Sequence, residues 1–465
     1  MSNILDQSVA EIGAALRAGK TTATALHDAA AGNHEAHAES FSAYKLWDAE
    51  AGQKQARAAD AAFTAGIDTG PLQGIPISVK DLYGVAGWPT FAGTPKRWPK
   101  SWECEGPVIA ALRAQLGVIM GKTHTVEFAF GGIGMNPHWG TPRNPWDAER
   151  HRAPGGSSAG AGVSLCAGSA LLALGTDTAG SVRIPASMTG NAGLKTSQGR
   201  WSIDCIAPLS PSLDTAGILA RSVADLAIGF LAIDPLASDA PRPAISAGLR
   251  LGISDGMLWD DCSPGVAQGV NGALGELVKK GARLVSVPFP EADEIYPVFR
   301  VGGLVAVELY AFVNEVLPEW FDLIDPIIVQ RMSEASELPA HEYVRRRRLM
   351  DRLSAAASER LRDLDVIVCP TVPNTPPALD DIAEIEDYRP ANLLALRNTG
   401  IVNYLGLCAL TIPVALDKAG MPVGLQLIAR HGQEERLLSI GLALENTLGD
   451  GRSRLGTPSM VKNRK

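Results

Sequence analysis

The sequence lacks an excess of basic residues. It contains 42 Lys and Arg against 50 Asp and Glu, which gives a formal net charge of −8 at pH 7. A nucleic-acid-binding surface needs clustered positive charge to neutralise phosphates, so we expect no nucleic-acid partner. The start, Met1-Ser2-Asn3-Ile4, also lacks a basic segment followed by an apolar one. We therefore expect no secretion signal and a cytoplasmic location.

Closely spaced cysteine pairs are also missing. The six cysteines stand at positions 104, 166, 205, 262, 369 and 408, and no two of them form a CxxC pair. Structural zinc sites and redox motifs use such pairs, whereas several of these cysteines fall within apolar runs. We expect buried, reduced thiols without a disulfide framework, and we predict no metal and no cofactor.

Charge is absent from one long central stretch. Residues 153–176 carry no charged side chain, and hydropathy alone favours a membrane helix there. Gly, Ser and Ala dominate the stretch, however, and turn residues crowd both of its ends. Small side chains let neighbouring backbone approach closely, so we predict a packed helix followed by a buried strand, and no membrane partner.

Two serine-bearing turns lie at the ends of this unit. Ser157 lies in the turn at the start of the predicted helix, and Ser181 lies in a Gly/Ala turn after the predicted strand. Backbone N–H groups of such a turn can converge on an anion. Lys80 ends an apolar strand, where desolvation favours the neutral amine that can take a proton from serine. Adjacent strand residues point to opposite faces, so we expect Asp81 to point away from Lys80.

Three motifs around these residues resemble the amidase signature family. They are GIPISVKD at Lys80, GGSSAG at Ser157 and GTDTAGSVRIPA at Ser181, and the resemblance covers nearly the whole chain. It implies a Ser-Ser-Lys triad in which Lys80 is the general base, Ser157 is the bridging serine after a cis peptide bond, and Ser181 is the nucleophile. It also implies an oxyanion hole built from the backbone N–H groups of Thr178, Ala179, Gly180 and Ser181.

The motifs depart from the common family pattern at two positions. The sequence has GGSSAG where GGSSGG is usual, and Ala179 stands where the family often has glycine. Alanine rarely adopts positive φ, so the turn before Ser181 must have a conformation that alanine tolerates. We expect both changes to be compatible with activity.

The resemblance implies an α/β fold made of a single large domain, residues 1–465, with a mixed, mostly parallel central sheet flanked by helices. Within that domain we expect N-terminal helices in 1–66 and the catalytic signature core in 70–235. We expect a variable helical region that forms the substrate pocket in 290–363. The alternation of strand-like and helix-like segments after residue 240 independently indicates that the sheet continues there.

Candidates for the substrate pocket come from two places. Arg183 follows the nucleophile by two residues and either holds a substrate carboxylate or, as we favour, pairs with Asp177 to brace the turn. The resemblance places the loop after residue 126 beside the serines. Its candidates for the pocket are Phe128, Ile133, Gly134 and Met135.

These features predict hydrolysis of the C–N bond of a small-molecule amide through an acyl-enzyme. The apolar residues of 305–321 favour an aryl or alkyl amide, and esters and carbamates are further candidate substrates. One alternative is the A-type glutaminase subunit of a tRNA-dependent amidotransferase, which needs partner subunits. Others are an allophanate- or carboxybiuret-type hydrolase and a catalytically inactive scaffold. Homodimer formation stays open.

Overall fold

The computed structural model describes residues 4–237 and 239–462. The expectation about a secretion signal rests in part on residues 1–3, which lie outside the described residues. Within the described residues, eleven strands join into one sheet. The strands are β1 (Tyr44–Trp47), β2 (Pro76–Lys80), β3 (Val118–Thr123), β4 (Leu172–Asp177), β5 (Ala192–Lys195), β6 (Thr215–Ala220), β7 (Arg250–Ile253), β8 (Arg283–Ser286), β9 (Val366–Pro370), β10 (Cys408–Leu416) and β11 (Pro422–Ala429).

Helices flank the sheet, and they come both before and after the three motifs in the sequence. They are α1 (Val9–Arg17), α2 (Ala23–Phe41), α3 (Ala49–Thr64), α4 (Pro107–Ala114), α5 (Ala159–Ala167), α6 (Arg183–Thr189), α7 (Val223–Ile233), α8 (Val266–Lys279), α9 (Pro290–Arg300), α10 (Val305–Val316), α11 (Pro326–Ser336), α12 (Ala340–Arg360), α13 (Ile385–Tyr404), α14 (Glu434–Leu448), α15 (Gly451–Leu455) and α16 (Ser459–Lys462). The predicted α/β, single-domain fold is confirmed, and residues 290–363 are largely helical as expected.

The sheet is mixed, in the order β1-β3-β2-β4-β6-β5-β10-β11-β9-β7-β8. Pairing is parallel among β3, β2 and β4 and among β9, β7 and β8. It is antiparallel from β4 through to β9, and between β1 and β3. The expectation of a mostly parallel sheet is therefore wrong. Strands β10 and β11 form a hairpin in the middle, and hairpins pair antiparallel.

The uncharged central stretch folds as predicted, into helix α5 followed by the buried strand β4. Its small residues are required because the backbone approaches its neighbours closely. A Cβ at Gly160 would lie 1.9 Å from the Ala43 carbonyl oxygen, and one at Gly162 would lie 2.3 Å from Thr189 Oγ1. This close packing holds the two serine turns against the sheet.

The cysteines differ from the expectation at one pair. Cys104 and Cys205 form a disulfide that joins positions 101 residues apart in the chain. The prediction that these two are reduced thiols is wrong, and the cysteine pattern no longer supports a reducing compartment. The two cysteines meet because of tertiary contacts between their segments. The Gly84 N–H donates to the Cys205 carbonyl oxygen, and Gly106 packs on the Asp204 carbonyl. These contacts bring together two segments that no local spacing connects.

One segment is long and apolar enough to cross a membrane by length and composition. It spans Pro290–Val316 within the described residues. Core helices of water-soluble proteins pass the same test, which makes it weak evidence. Here the segment comprises α9, a turn and α10, and it buries Ile295, Leu309 and Val313 in the hydrophobic core.

Candidate active site

Lys80 ends strand β2 and is fully buried. Its Nζ lies 2.7 Å from Ser157 Oγ and 2.8 Å from Thr176 Oγ1. Burial lowers the pKa of Lys80 to about 7, although the negative charges of Asp177 and Asp214 oppose the shift. A substantial fraction of this lysine is therefore neutral near pH 7, in direct contact with a serine hydroxyl.

The neighbouring Asp81 does not interact with this lysine. It forms a buried ion pair with Lys122, with 2.7 Å between Lys122 Nζ and Asp81 Oδ1. The expectation that Asp81 points away from Lys80 is confirmed. Alternation along β2 sends the two side chains to opposite faces of the sheet, so Asp81 leaves the amine of Lys80 without a directly paired carboxylate.

Ser157 is buried in a tightly packed turn. The Gly156–Ser157 peptide bond is cis, as the resemblance implies. A Cβ at Gly156 would lie 2.6 Å from the Gly134 amide nitrogen, so glycine is required there. The carbonyl oxygen of Ser157 accepts from the Val126 N–H at 3.1 Å. The loop 126–134 thus fixes the position of the Ser157 hydroxyl beside Lys80.

The turn that carries Ser181 is organised by one carboxylate. Asp177 Oδ1 accepts from the Gly180 N–H at 2.7 Å, and Asp177 Oδ2 accepts from the Val182 N–H at 3.1 Å. The Gly180 amide is therefore already occupied, which corrects the expectation that it belongs to an oxyanion hole. Within the described residues, no acceptor lies opposite the N–H groups of Thr178, Ala179 and Ser181.

Arg183 braces this carboxylate from the other side. Its guanidinium makes two hydrogen bonds to Asp177, at 3.1 and 3.0 Å, and both side chains are fully buried. It also donates to Gln426 Oε1 and to the Thr399 carbonyl oxygen. Burial alone would raise the pKa of Asp177, but the charge of Arg183 holds it down at about 2. The structure therefore supports the bracing interpretation, and it removes Arg183 from the substrate pocket.

Ser181 opens onto a cavity of about 570 Å³. Thr178 and Ala179 line the same wall, so the unoccupied amides and the serine share one space. Apolar side chains such as Phe299, Val305 and Leu393 line much of the remainder. Of the expected apolar roof at 305–321, Val305 contributes to this cavity, whereas Leu309 and Trp320 belong to the core.

The other predicted pocket residues lie elsewhere. Phe128 has φ 50°, and its ring packs against Trp98 in the core. Ile133 is buried in a separate small cluster with Ile184. Gly134 packs against the Gly155 carbonyl. None of these three lines the cavity at Ser181, and Met135 lines a neighbouring cavity instead. The unusual backbone turn at 128–129 redirects these side chains, and no sequence pattern signals it.

Two arginines that the sequence analysis missed line the cavity with Ser181. They are Arg300, at the end of α9, and Arg331, in α11. Neither belongs to a motif, and each lies more than 100 residues from the serines along the chain. Long-range placement of this kind leaves no local signal in a single sequence.

A buried pair of titratable residues lies next to this region. Glu127 Oε1 lies 2.9 Å from His138 Nε2, and Glu127 Oε2 accepts from the Asp325 N–H at 2.9 Å. Burial raises the pKa of Glu127 to about 8 and lowers that of His138. The pair is therefore held as a neutral acid beside a neutral imidazole, and it joins the loop 126–138 to the start of α11.

Cys408 is an inert thiol in the core. Cys408 is buried, and burial raises the pKa of its thiol to about 12, as expected for an inert core cysteine. Among residues 4–237 and 239–462, no group of three or more His, Cys, Asp or Glu side chains could hold a metal ion.

Known proteins resemble this chain in both sequence and fold. The family model named Amidase matches residues 26–438. The chain is 50% identical to a 2-amino-5-chloromuconic acid deaminase of Comamonas testosteroni over 98% of this chain and 100% of that protein. It is 33% identical to an amidase of Pseudomonas putida over 96% and 97% of the two chains. A solved amidase crystal structure superposes with a TM-score of 0.85 and 31% identity, covering 95% and 100%.

The fold and these relatives define an enzyme of the hydrolase class that acts on carbon–nitrogen bonds. The family is equally clear, because the matching model covers most of the chain. The chain belongs to the amidase family, as its three motifs predict.

Proposed function

We propose that this enzyme hydrolyses a C–N bond of a small molecule through a Ser-Ser-Lys triad and an acyl-enzyme. The observation that carries the proposal is the 2.7 Å contact between Lys80 Nζ and Ser157 Oγ. The lysine is buried and its pKa is about 7, so it can accept a proton from serine near neutrality.

Ser181 is the nucleophile in this proposal. Its Oγ adds to the carbonyl carbon while its proton passes to Ser157, and the Ser157 proton passes to Lys80 Nζ. The tetrahedral intermediate then expels the amine, which takes a proton back along the same path. An ester to Ser181 remains, and water cleaves it to release the acid and the free serine. The contact between the Ser158 N–H and the Ser181 carbonyl oxygen, 3.3 Å, supports this juxtaposition of the two turns.

The N–H groups of Thr178, Ala179 and Ser181 stabilise the oxyanion. They line or border the cavity, and no internal acceptor occupies them within the described residues. The Gly180 N–H instead holds Asp177, so its role is to shape the turn. Losing one such donor typically costs about 3 kcal/mol of transition-state stabilisation.

The substrate is proposed to be a primary amide, whose nitrogen leaves as ammonia when the acyl group is transferred to Ser181. The relative with 50% identity is a deaminase of an amino-substituted acid, and the match covers the whole of that protein. The cavity at Ser181 combines apolar walls with two arginines, which favours an acidic substrate over the uncharged aryl or alkyl amide expected from the sequence.

Turnover of a defined panel tests the proposal. The panel holds 2-amino-5-chloromuconate, a primary aliphatic amide, an acetanilide, an aryl carbamate, allophanate and glutamine, assayed by ammonia or aniline release. We expect Ser181→Ala and Lys80→Met each to lower kcat on the order of 10³-fold or more. Turnover retained in Ser181→Ala would contradict the triad, and turnover of glutamine alone would favour an amidotransferase subunit.

A second buried lysine provides the matched control. Burial lowers the pKa of Lys195 to about 8, and its Nζ donates to the carbonyl oxygens of Thr196 and Leu407 and not to a serine. Lys195→Met removes a buried amine of the same kind without touching the serines. We expect its folded fraction to keep the wild-type kcat, which separates a chemical role of Lys80 from the general cost of removing a buried lysine.

A further inference from the structure

Arg331 is a cation without an anionic partner. Its Nη1 donates to the Phe130 carbonyl oxygen at 3.0 Å, and its guanidinium lies over the Phe130 ring at 3.4 Å from the ring centre. No carboxylate of the described residues lies within ion-pair distance of Arg331. Burial lowers the pKa of Arg331 to about 10. Arg331 is half-buried, and a charge that is partly removed from water without a charged partner is energetically unfavourable.

The groups that face Arg331 do not neutralise it. Glu334, one turn away on α11, accepts instead from Gln330 Nε2 at 2.9 Å. Arg389 adds a second positive charge nearby, and Tyr388 is held neutral because burial raises the pKa of its phenol. The guanidinium therefore keeps its charge and has unused N–H donors.

Asn392 supplies a second donor in the same place. Its Oδ1 accepts from the Gly132 N–H at 2.8 Å, which fixes the orientation of the side-chain amide. Its Nδ2 is then the free end, and no acceptor for it exists within the described part of the chain. Asn392 and Arg331 both line the cavity that contains Ser181. Together they present a planar cation and an amide donor, a combination suited to a carboxylate.

The surrounding cavity is positively charged although the protein as a whole is acidic. The space at Ser181 continues into a neighbouring cavity of about 1310 Å³, which shares Arg300 and Arg331 with it. Arg389 also lines this second space, and Glu334 is its one acidic residue among the described residues. Clustered charge of one sign within a cleft concentrates ligands of the opposite sign.

We propose that Arg331 and Asn392 bind a carboxylate of the substrate while Ser181 attacks at the other end of the molecule. This inference rests on the proposed function and names its substrate class, an organic acid that also carries an amide group. Arg331 is then a specificity-determining residue, since a substrate without the carboxylate leaves its donors unpaired.

Binding of muconate tests the inference without any turnover. Muconate carries two carboxylates and no amino or amide group, so calorimetric titration reports binding alone. We expect the wild type to bind muconate, and Arg331→Met to bind it about 10- to 100-fold more weakly. Arg331→Lys should fall between them, because lysine keeps the charge but loses the two-pronged geometry. Arg348→Met, at an exposed position of α12, removes one charge outside the cavity and should leave the affinity unchanged.

Two further measurements do not depend on the folding of Arg331→Met. The dimethyl ester of muconate should bind the wild type at least about tenfold more weakly than the dianion. Asn392→Asp keeps an acceptor for the Gly132 N–H but repels a carboxylate, so it should also lose muconate. Equal affinity for the diester and the dianion would overturn the inference. So would no saturable binding of muconate to the wild type, or unchanged affinity in both Arg331→Met and Asn392→Asp.

Failure of the inference is distinguishable from failure of the proposed function. Ser181→Ala should bind muconate as the wild type does, because Ser181 does not contact the carboxylate in this proposal. Loss of turnover in Ser181→Ala with unchanged muconate binding in Arg331→Met would retain the triad and reject the carboxylate site. Turnover retained in Ser181→Ala with binding lost in Arg331→Met would reject the triad and retain the carboxylate site.

Discussion

Asp177 and Arg183 form a fully buried ion pair whose carboxylate also accepts from the Gly180 and Val182 N–H groups. The same carboxylate therefore joins the end of strand β4, the turn that carries Ser181 and the first residue of helix α6. Asn403 on helix α13 adds a further donor to Asp177 Oδ1 at 3.0 Å. The position of Ser181 thus depends on one charged side chain that never meets the cavity.

Arg183→Met should destabilise the protein by roughly 3–5 kcal/mol, because it leaves Asp177 buried without its counter-charge. We expect the folded fraction to lose kcat with little change in KM, since Arg183 positions the turn and does not line the cavity at Ser181. Chemical denaturation and steady-state kinetics measure the two effects. Arg345→Met, which breaks an exposed pair with Glu342, should leave the free energy of unfolding nearly unchanged. A raised KM with normal stability would return Arg183 to the substrate pocket.

Gly180→Ala should abolish most of the activity. Gly180 has φ 130°, and a Cβ there would lie 2.1 Å from Thr399 Oγ1, which itself donates to the Ala179 carbonyl oxygen. The turn must therefore shift and displace Ser181. Gly199→Ala is the matched control, because Gly199 also has positive φ (77°) but has open space around its Cβ position. We expect kcat to fall at least about 100-fold in the first variant and the second to cost about 1 kcal/mol of stability with normal kcat. Equal effects would reject this steric explanation.

The rate should depend on pH through Lys80. The proposed mechanism needs a neutral Lys80 to accept the proton, and burial lowers the pKa of this lysine to about 7. kcat/KM should therefore be constant at alkaline pH and should fall about tenfold per pH unit well below pH 7. A pH–rate profile with circular dichroism at each pH checks this, since the spectrum excludes unfolding as the cause. An inflection near the ordinary lysine pKa would show that Lys80 is not desolvated in solution.

Glu127 should make the protein less stable as the pH rises. Burial raises its pKa in the folded protein to about 8, so the folded state binds a proton that the unfolded state releases at a lower pH. Below the pKa of the unfolded state both states are protonated and Glu127 costs no stability. The loss of stability grows as the pH rises and is complete above pH 8, at about 5 kcal/mol. Glu127→Gln keeps contacts to His138 and to the Asp325 N–H but cannot ionise.

The measurement for Glu127 is the free energy of unfolding at pH 5 and pH 9. We expect the wild type to lose more stability between these values than Glu127→Gln does. The exposed Glu50→Gln should follow the wild type, because the Glu50 side chain is 79% exposed. Parallel losses in all three proteins would mean that Glu127 is already ionised in the folded state.

Sequence reasoning located the elements that act through local motifs. The packed helix α5 and the buried strand β4 follow from short segments whose composition allows few alternatives. The placement of Lys80 beside Ser157 follows from the resemblance of the three motifs to the amidase signature family. The direction of Asp81 followed from strand alternation alone. Residues that meet through long-range packing were not predictable. Cys104 and Cys205 are an example.

The residues of the substrate pocket also meet through long-range packing, so they were not predictable from local motifs. Phe128 was expected in it because the family resemblance places its loop beside the serines, but Phe128 has positive φ and its ring lies in the core. Arg331 was not expected, because helix α11 reaches Ser181 only through the packing of α9 to α13. Sheet direction was misjudged for a related reason: β10 and β11 follow the helical region and enter the sheet next to β5, a partner from the first half of the chain.

The Cys104–Cys205 bond also determines what happens when the backbone is cut. It closes a covalent ring that contains Ser157 and Ser181, whereas Lys80 lies outside the ring. Residues 148–151 form an exposed stretch inside it. A protease that cleaves there produces two chains, one with Lys80 and one with both serines, that remain a single covalent molecule. Reduction of that one bond then leaves only noncovalent contacts, including the pairing of β2 with β4, to hold Lys80 beside Ser157.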